Sequence, residues 1–521
     1  MLATFIAFLA AAAPSTAQEP DTTNAAAAEQ PQRAPVGFTG APWGTALTDS
    51  LPAVRPDLRL VELLAAAPGS FTYRFDRSGW PDGWSPFGRS PNTIALDFND
   101  VPFTHLFTGR PGYDFIPSTL IEPPHLVGTR FGRPYGVAIR QRSFASPVPV
   151  TEGTYWRGGD GLQSIDAVHA QHRTLELLGR PGFLNLMGAY SGRATNVAYP
   201  GSDLTRGRRV QLRLRYEQRD WSAEILNIHN RRRIGAHAGV VPQPGNPESI
   251  YRVDLAEVEN PEAERRVIRN DFMVTLRSRL LSSGASTLTT YWSSEMYRYR
   301  DRSDTMRTTS DRFGLHLRQP LAATPLHELA VHVEGWVNRV VPAGGFAAST
   351  QRQERLHLFV RETLRSAGWS GTAEAGWAFD DRHGGPTAHL SASRQLGAVG
   401  WRAEMVSTIP TSSVVYSTGF GTLSGRSDIV AGRSTVARLE ASVRLGDVSI
   451  QVGFFGDRDA APVDVYADGT DAVVEQAPAP FHRTGAYADI GWRRDAARGF
   501  YAILRPTATR FLNAGASPLH R

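Results

Sequence analysis

Cysteine is absent from the 521 residues. That excludes a disulfide framework, thiolate metal sites and a cysteine nucleophile. Lysine is absent as well, so all 56 basic residues are arginine. Without lysine there is no P-loop, no Ser-Lys pair and no Schiff base. Beyond the extreme N-terminus, no stretch approaches the roughly 18 consecutive apolar residues that a transmembrane helix requires. No single block of one charge exists either. The net charge is +6, and the arginines are interspersed with acids, which argues against nucleic-acid binding. Arginine suits bidentate anion and phosphate contacts. Its abundance beside Ala, Gly and Pro follows more simply from a GC-rich coding sequence. What is present is 41% hydrophobic content, enough for a large packed chain and too much for a disordered one.

The chain divides by texture. Met1–Ala13 is apolar, and Ser15-Thr16-Ala17 supplies small residues before Gln18, the pattern of a secretory signal peptide cleaved after Ala17. Residues 18–50 include Glu19–Pro35, rich in Ala, Gln, Pro and Thr without periodicity, and read as a tether. Residues 51–145 form a small α+β unit. A short amphipathic helix at Leu58–Leu64 is stopped by Pro68-Gly69, and extended runs follow at Phe71–Phe75, Asn92–Phe98 and Val137–Arg142.

From residue 150 to 521 the texture is strictly alternating. Val210, Leu212, Leu214 and Tyr216 interleave with Gln211, Arg213, Arg215 and Glu217. Leu329, Val331, Val333 and Val337 interleave with Glu328, His332, Glu334 and Asn338. Ala437–Leu445 and Val448–Phe454 repeat the pattern. Period two with one apolar and one wet face means antiparallel sheet. A soluble sandwich would turn the apolar faces inward; a membrane barrel turns them to lipid. Three features favour the barrel. The polar faces carry long Arg and Glu side chains. Aromatics gather near strand ends (Tyr155, Trp156, Tyr190, Tyr216, Trp221, Trp292, Tyr297, Tyr299, Trp336, Trp369, Trp377, Trp401, Trp492). Tight turns such as Arg219-Asp220 and Gly446-Asp447 alternate with long polar loops at Gly235–Glu264, Asp301–Thr309, Ser407–Arg433 and Gly456–His482. The fold class expected is therefore mostly β: a transmembrane antiparallel β-barrel preceded by a small α+β plug domain, with about 16 to 19 strands.

The run Ile94-Ala95-Leu96-Asp97-Phe98-Asn99-Asp100-Val101-Pro102-Phe103, followed by Asp114, Ile116-Pro117, Ile121-Glu122 and then Tyr135-Gly136-Val137-Ala138-Ile139, resembles the plug domain of TonB-dependent outer-membrane receptors. The resemblance implies a plug motif carried by Leu96, Asp97, Asp100, Val101, Pro102, Asp114, Ile116, Pro117, Ile121, Glu122, Tyr135 and Gly136. It covers roughly Leu51–Phe144 by motif and the remainder by texture. The chain departs from the family at Pro123-Pro124, which remove strand donors. Gln18–Ala34 holds no clear TonB box. The family's barrel has 22 strands, and this chain ends at Leu519-His520-Arg521 without a terminal aromatic. A truncated chain or a shortened relative is expected.

The resemblance implies outer-membrane uptake of a scarce solute through a plug-gated barrel. An iron chelate, corrinoid, sugar or peptide all fit as solute, with outer-membrane lipid as surroundings and TonB as a partner in question. The alternatives are a passive porin-like or degenerate barrel and, further off, a barrel enzyme with a rim Ser, His and acid. No cofactor, metal or catalytic residue is expected. His327 and His332 stand five apart on a strand pattern, which puts them on opposite faces; His169 and His172 fail the same test for a metal pair. Asp380–Gly385 reads as a hairpin. The clusters Arg206/Arg208/Arg209 and Arg231/Arg232/Arg233 read as solvated rims, with anion steering or lipid-phosphate binding as the sharper alternative.

Overall fold

The computed structural model describes residues 59–512, with short breaks such as 74–81, 280–283, 345–348 and 496–499. The expected signal peptide and tether lie outside the described residues.

The first part is small and dense. Leu60–Leu64 is a single helical turn whose Arg59 amide donates to the Glu62 carboxylate at 2.7 Å. A hairpin pairs Ser70–Tyr73 with Gly83–Pro86. A four-stranded sheet runs in the order Val101–Pro102, Ile94–Phe98, Tyr135–Ile139, His125–Val127, its two central strands parallel. The tight connection after Phe98 places Asn99 and Asp100 at φ 52° and 66°. Those left-handed values suit Asn and Asp, whose short polar side chains tolerate them. Leu60, Val61, Ile94, Leu96, Phe98, Val101, Phe103 and Ile139 pack there, essentially without solvent contact.

From Val150 onward, among the described residues, one antiparallel sheet of eighteen strands rolls into a barrel. Its last two, Phe500–Leu504 and Thr507–Leu512, follow one another along the same edge of Phe481–Asp495. One rim carries tight connections, at 178–179, 218–220, 367–368, 397–398 and 446–447. The opposite rim carries 236–263, 409–433 and 460–480. Within it, Leu423–Ser424, Asp471–Gln476 and Val463–Asp468 make a separate three-stranded sheet that joins two of these long loops.

Alternation works as a sorting device. Phe313, Leu315, Leu356, Leu358 and Val360 point outward and are 39–60% exposed, whereas Arg312, His316, Arg355 and His357 on the same strands point inward and are buried. Tyr155, Tyr190 and Trp377 toward the long-loop rim, and Trp369 and Trp492 toward the turn rim, are exposed on the outer face. That makes two aromatic girdles bounding an apolar band. Four of the expected girdle aromatics belong elsewhere: Trp156, opposite the buried Ser164, turns to the inner side, and Tyr297, Tyr299 and Trp336 face the lumen and pack against the small domain. Position parity decides this, since each neighbours an outward residue in the strand. Two expected long loops are also shorter. Strand begins at Thr305 rather than beyond Thr309, and Val448–Asp459 continues past Gly456. The expected hairpin at Asp380–Gly385 is present, with Asp380 opposite His383.

Candidate functional site

The small domain sits in the lumen, and the polar inward residues of the barrel hold it there. Arg89 is the deepest bolt. Its guanidinium donates to Asp457 at 2.5 and 2.7 Å, to Asp459 at 3.0 Å and to the Ser434 hydroxyl at 2.7 Å. Arg483 closes the square, reaching Asp457 at 3.0 Å, Asp459 at 2.8 Å and the Gly88 carbonyl at 3.1 Å. Two cations and two carboxylates thus neutralise one another out of water, the condition under which buried charge is tolerated. Burial alone would lower the Arg89 pKa, but Asp457 and Asp459 outweigh it and raise it, keeping the guanidinium charged.

A second bolt centres on Arg269 of strand Glu264–Ser278. It grips Asp271 twice at 2.8 Å, donates to the Thr104 carbonyl at 2.5 Å, and lies over the rings of Phe103 and Phe115 at 4.5 and 5.5 Å. Ser293 donates to Asp271 at 2.6 Å. Arg312 reaches the Thr104 hydroxyl at 3.1 Å and covers the Trp336 ring. Asn338 donates to the Leu106 carbonyl at 3.0 Å. His105 lies 3.4 Å from Glu295; burial lowers the imidazole pKa against the pull of that carboxylate. Asp114 pairs with Arg232, and its carbonyl accepts from Arg209.

A third set ties down the connection to the barrel. Gln141 meets Gln211 at 3.3 Å, Asn185 donates to the Phe144 carbonyl at 2.8 Å, and Arg213 bridges Asn185 and the Arg142 carbonyl. The Arg142–Glu152 pair is 43% exposed on both sides and adds little.

The motif residues are mostly interior to the small domain. Leu96, Val101, Pro102, Ile116, Pro117, Ile121, Tyr135 and Gly136 are buried in it, and Asp97 lies in the same strand as Leu96. Asp100 makes the turn, and the Glu122 amide donates to the Arg140 carbonyl at 2.9 Å. Tyr135 packs 5.5 Å from Phe87. Among the twelve, Asp114 pairs with Arg232 of the barrel wall. Of the polar-face residues singled out by alternation, Arg213 reaches this domain at the Arg142 carbonyl. Arg215 instead pairs with Glu217 at 2.9 Å, and Glu334 lies among His316 and His357 of neighbouring strands. Arg89, Thr104, Asp457, Asp459, Arg269 and Asp271 went unnoticed in the sequence.

Toward the long-loop rim the domain's outer face is arginine-rich. Arg133 donates to the Ile94 and Gly109 carbonyls at 2.6 and 2.9 Å. Burial, and then the neighbouring Arg312, bring its pKa down to about 10. Arg110 is likewise lowered by burial and by Arg265. Gly132, at φ 73°, lies where any Cβ would overlap the Arg355 guanidinium. A crevice of about 30 Å³ between domain and wall is lined by Thr104, Arg133, Arg312, Trp336 and Val414, room for about one water. Thr411 and the helical turn Val414–Thr418 fold in from the 409–433 loop; Arg355 donates to Thr411 at 2.8 Å and Asn92 to the Tyr416 hydroxyl at 3.2 Å.

No family model and no curated protein matches the sequence. Solved structures do. The siderophore receptor PirA from Pseudomonas aeruginosa aligns with a TM-score of 0.66 and 14% identity over 90% of this chain and 84% of that one. A ferric enterobactin receptor mutant (PfeA) from Pseudomonas aeruginosa, in complex with enterobactin, gives 0.63 and 11% over 89% and 80%. The FrpB iron transporter from Neisseria meningitidis gives 0.63 and 9% over 87% and 80%. The chain shares the fold of these structures, a β-barrel with a small domain in its lumen. The domain in the lumen is the plug of that fold, and the girdled apolar band is the surface such a barrel turns to the membrane.

Proposed function

We propose that this chain is an outer-membrane receptor that admits a scarce solute to the periplasm when its plug moves. The observation that carries the reading is the occupied lumen, where three sets of buried polar bonds tie the small domain to the barrel wall. A solute passes only if some of these bonds open. Buried ion pairs suit a gate of this kind. Separating one into a dry lumen costs about 3–5 kcal/mol, so the plug stays shut unaided. Water entering beside a moving plug would solvate Arg89, Asp457 and Asp459 and lower that cost.

The solute we propose is anionic. Arg110 and Arg133 on the plug's outer face, with Arg265, Arg312 and Arg355 around them, form a cationic floor beneath the long loops. Such a floor steers anions inward. Ferric chelates are the first class to test, because the structural neighbours are named as siderophore and iron receptors. A passive barrel without TonB coupling is the second reading, favoured by the absence of a clear TonB box in Gln18–Ala34. Ferric-chelate uptake by cells expressing the chain, measured with and without a proton-motive force, separates the two. Energy-dependent uptake supports the receptor; equal uptake in both conditions supports the passive barrel; no uptake of any anionic chelate contradicts the solute assignment.

A further inference from the structure

The outer surface carries a feature that solute passage does not use. Strand pairing sets Arg206 opposite Arg233, Arg233 opposite Arg266, Arg266 opposite Arg298, and Arg298 opposite Arg307. Five neighbouring strands thus contribute one arginine each to a single cross-strand row. Its face is fixed by parity. Arg232, Val267, Tyr297 and Thr308, one residue away on four of these strands, are buried in the lumen; Leu214, Ile225, Phe272, Trp292 and Phe313, an even number away, are exposed outward. The row therefore lies on the outside of the barrel at the long-loop rim. Arg208 and Arg231, paired with each other, stand one row nearer the apolar band, and Arg300 one row farther.

Directly opposed like charges on a sheet repel and destabilise pairing. The acid within these rows is Glu264, which Arg233, Arg298 and Arg300 share. Eight arginines and one carboxylate leave a strong local excess of positive charge, which calls for external anions. The height of the row says which. Outward apolar rows run through Tyr216–Leu317, Leu214–Leu315 and Leu212–Phe313. From the central one, at Leu315, to Arg307 is eight residues, about 26 Å of strand at 3.3 Å each and about 19 Å along the membrane normal at a 45° tilt. The apolar band of such barrels is about 25 Å tall, so the row stands just beyond its edge, level with lipid headgroups.

We propose that this arginine ladder binds phosphate groups on the headgroups of lipids in the leaflet at the long-loop rim, with the acyl chains lying against the apolar rows beneath. Guanidinium forks take phosphate oxygens bidentately, and neighbouring strands stand about 4.8 Å apart, so adjacent arginines can share one phosphate. A phosphorylated glycolipid with two phosphates spans the row better than a zwitterionic lipid, whose own cation competes. The inference rests on the outer-membrane reading above, and the test keeps the two apart.

The full chain is placed in nanodiscs of phosphatidylcholine with or without diphosphoryl lipid A, and bound lipid is measured after detergent extraction by native mass spectrometry. The comparison is with R206Q/R208Q/R231Q/R266Q/R307Q, which spares the Glu264 partners, and with R173Q/R180Q/R277Q/R365Q/R444Q, which removes equal charge near the turn rim. Folding of each is checked by heat-modifiable gel migration. The expected result is retention of lipid A by the native chain and the turn-rim variant, and at least a tenfold loss in the ladder variant. Equal retention by the folded ladder variant overturns the proposal, as does full displacement of lipid A by millimolar inorganic phosphate, which would make the site one for the free anion. A native chain that enters the bilayer yet shows no preference for lipid A overturns the ladder proposal alone. A chain that enters neither bilayer overturns the outer-membrane reading and the ladder with it.

Discussion

In the plug, Phe98, Phe103 and Phe107 are shut away from solvent and Arg89 reaches outward to the wall; in the wall, Arg269, Asp271 and Glu295 are shut away while Phe313, Leu356 and Val360 turn outward. The plug folds as a small water-soluble domain does, hiding hydrocarbon. The barrel hides charge, because its exterior offers hydrocarbon a better neighbour than water. The two meet at a mixed surface, where Phe87 packs on Phe455 and Tyr487, and Phe107 on Tyr297, beside the buried ion pairs. Hydrogen bonds and ion pairs share the hold with these ring contacts, and they are the part of the interface that entering water can replace.

That contrast can be broken from either side. The largest effect is expected from Arg269→Met, which leaves Asp271 and Glu295 buried without their cation and removes the plug's ring contacts. The cost should be about 3–5 kcal/mol, read as a lowered melting temperature in detergent together with increased conductance past the plug in planar bilayers. A stable, silent variant would mean that the ion bolts do not hold the plug. A smaller effect is expected from Leu315→Arg on the apolar band, about 2–4 kcal/mol near the midplane, read as slowed insertion into bilayers with unchanged conductance of the inserted fraction. Normal insertion would mean that this face does not meet lipid.

How much of this was legible in the sequence follows from the same contrast. Alternation in Val210–Glu217 and Glu328–Asn338 reported a two-faced sheet directly, because lipid on one side and water on the other force period two. The small domain was legible through the motif run Ile94–Phe103 and the pieces that follow it, and the structure adds that Asn99 and Asp100 in that run take left-handed backbone. The bolts were not. Arg89 and Asp457 are 368 residues apart in the chain, and no local pattern encodes that meeting. The one local signal is the inward parity that Asp457 and Asp459 share with Gln451 and Phe455, and reading Gly456–His482 as loop hides it. The same happened at Asp301–Thr309. Where strands rise past the apolar band, both faces become polar and the alternation fades, so strand ends look like loops. The arginine ladder was visible only as separate clusters, since register between strands, and not sequence, aligns them.

The orientation of the barrel's two faces underlies all the rest, and the absence of cysteine makes it directly measurable. Single cysteines placed in turn at positions 312 to 317 of strand Thr305–Ala323 can carry a nitroxide in liposomes, with collisional access to oxygen and to a water-soluble nickel chelate compared at each. Positions 313, 315 and 317 should favour oxygen, as lipid-facing sites do, and 312, 314 and 316 should not, with a period of two. The opposite phase, or no alternation, would contradict a barrel that turns its apolar side to the membrane.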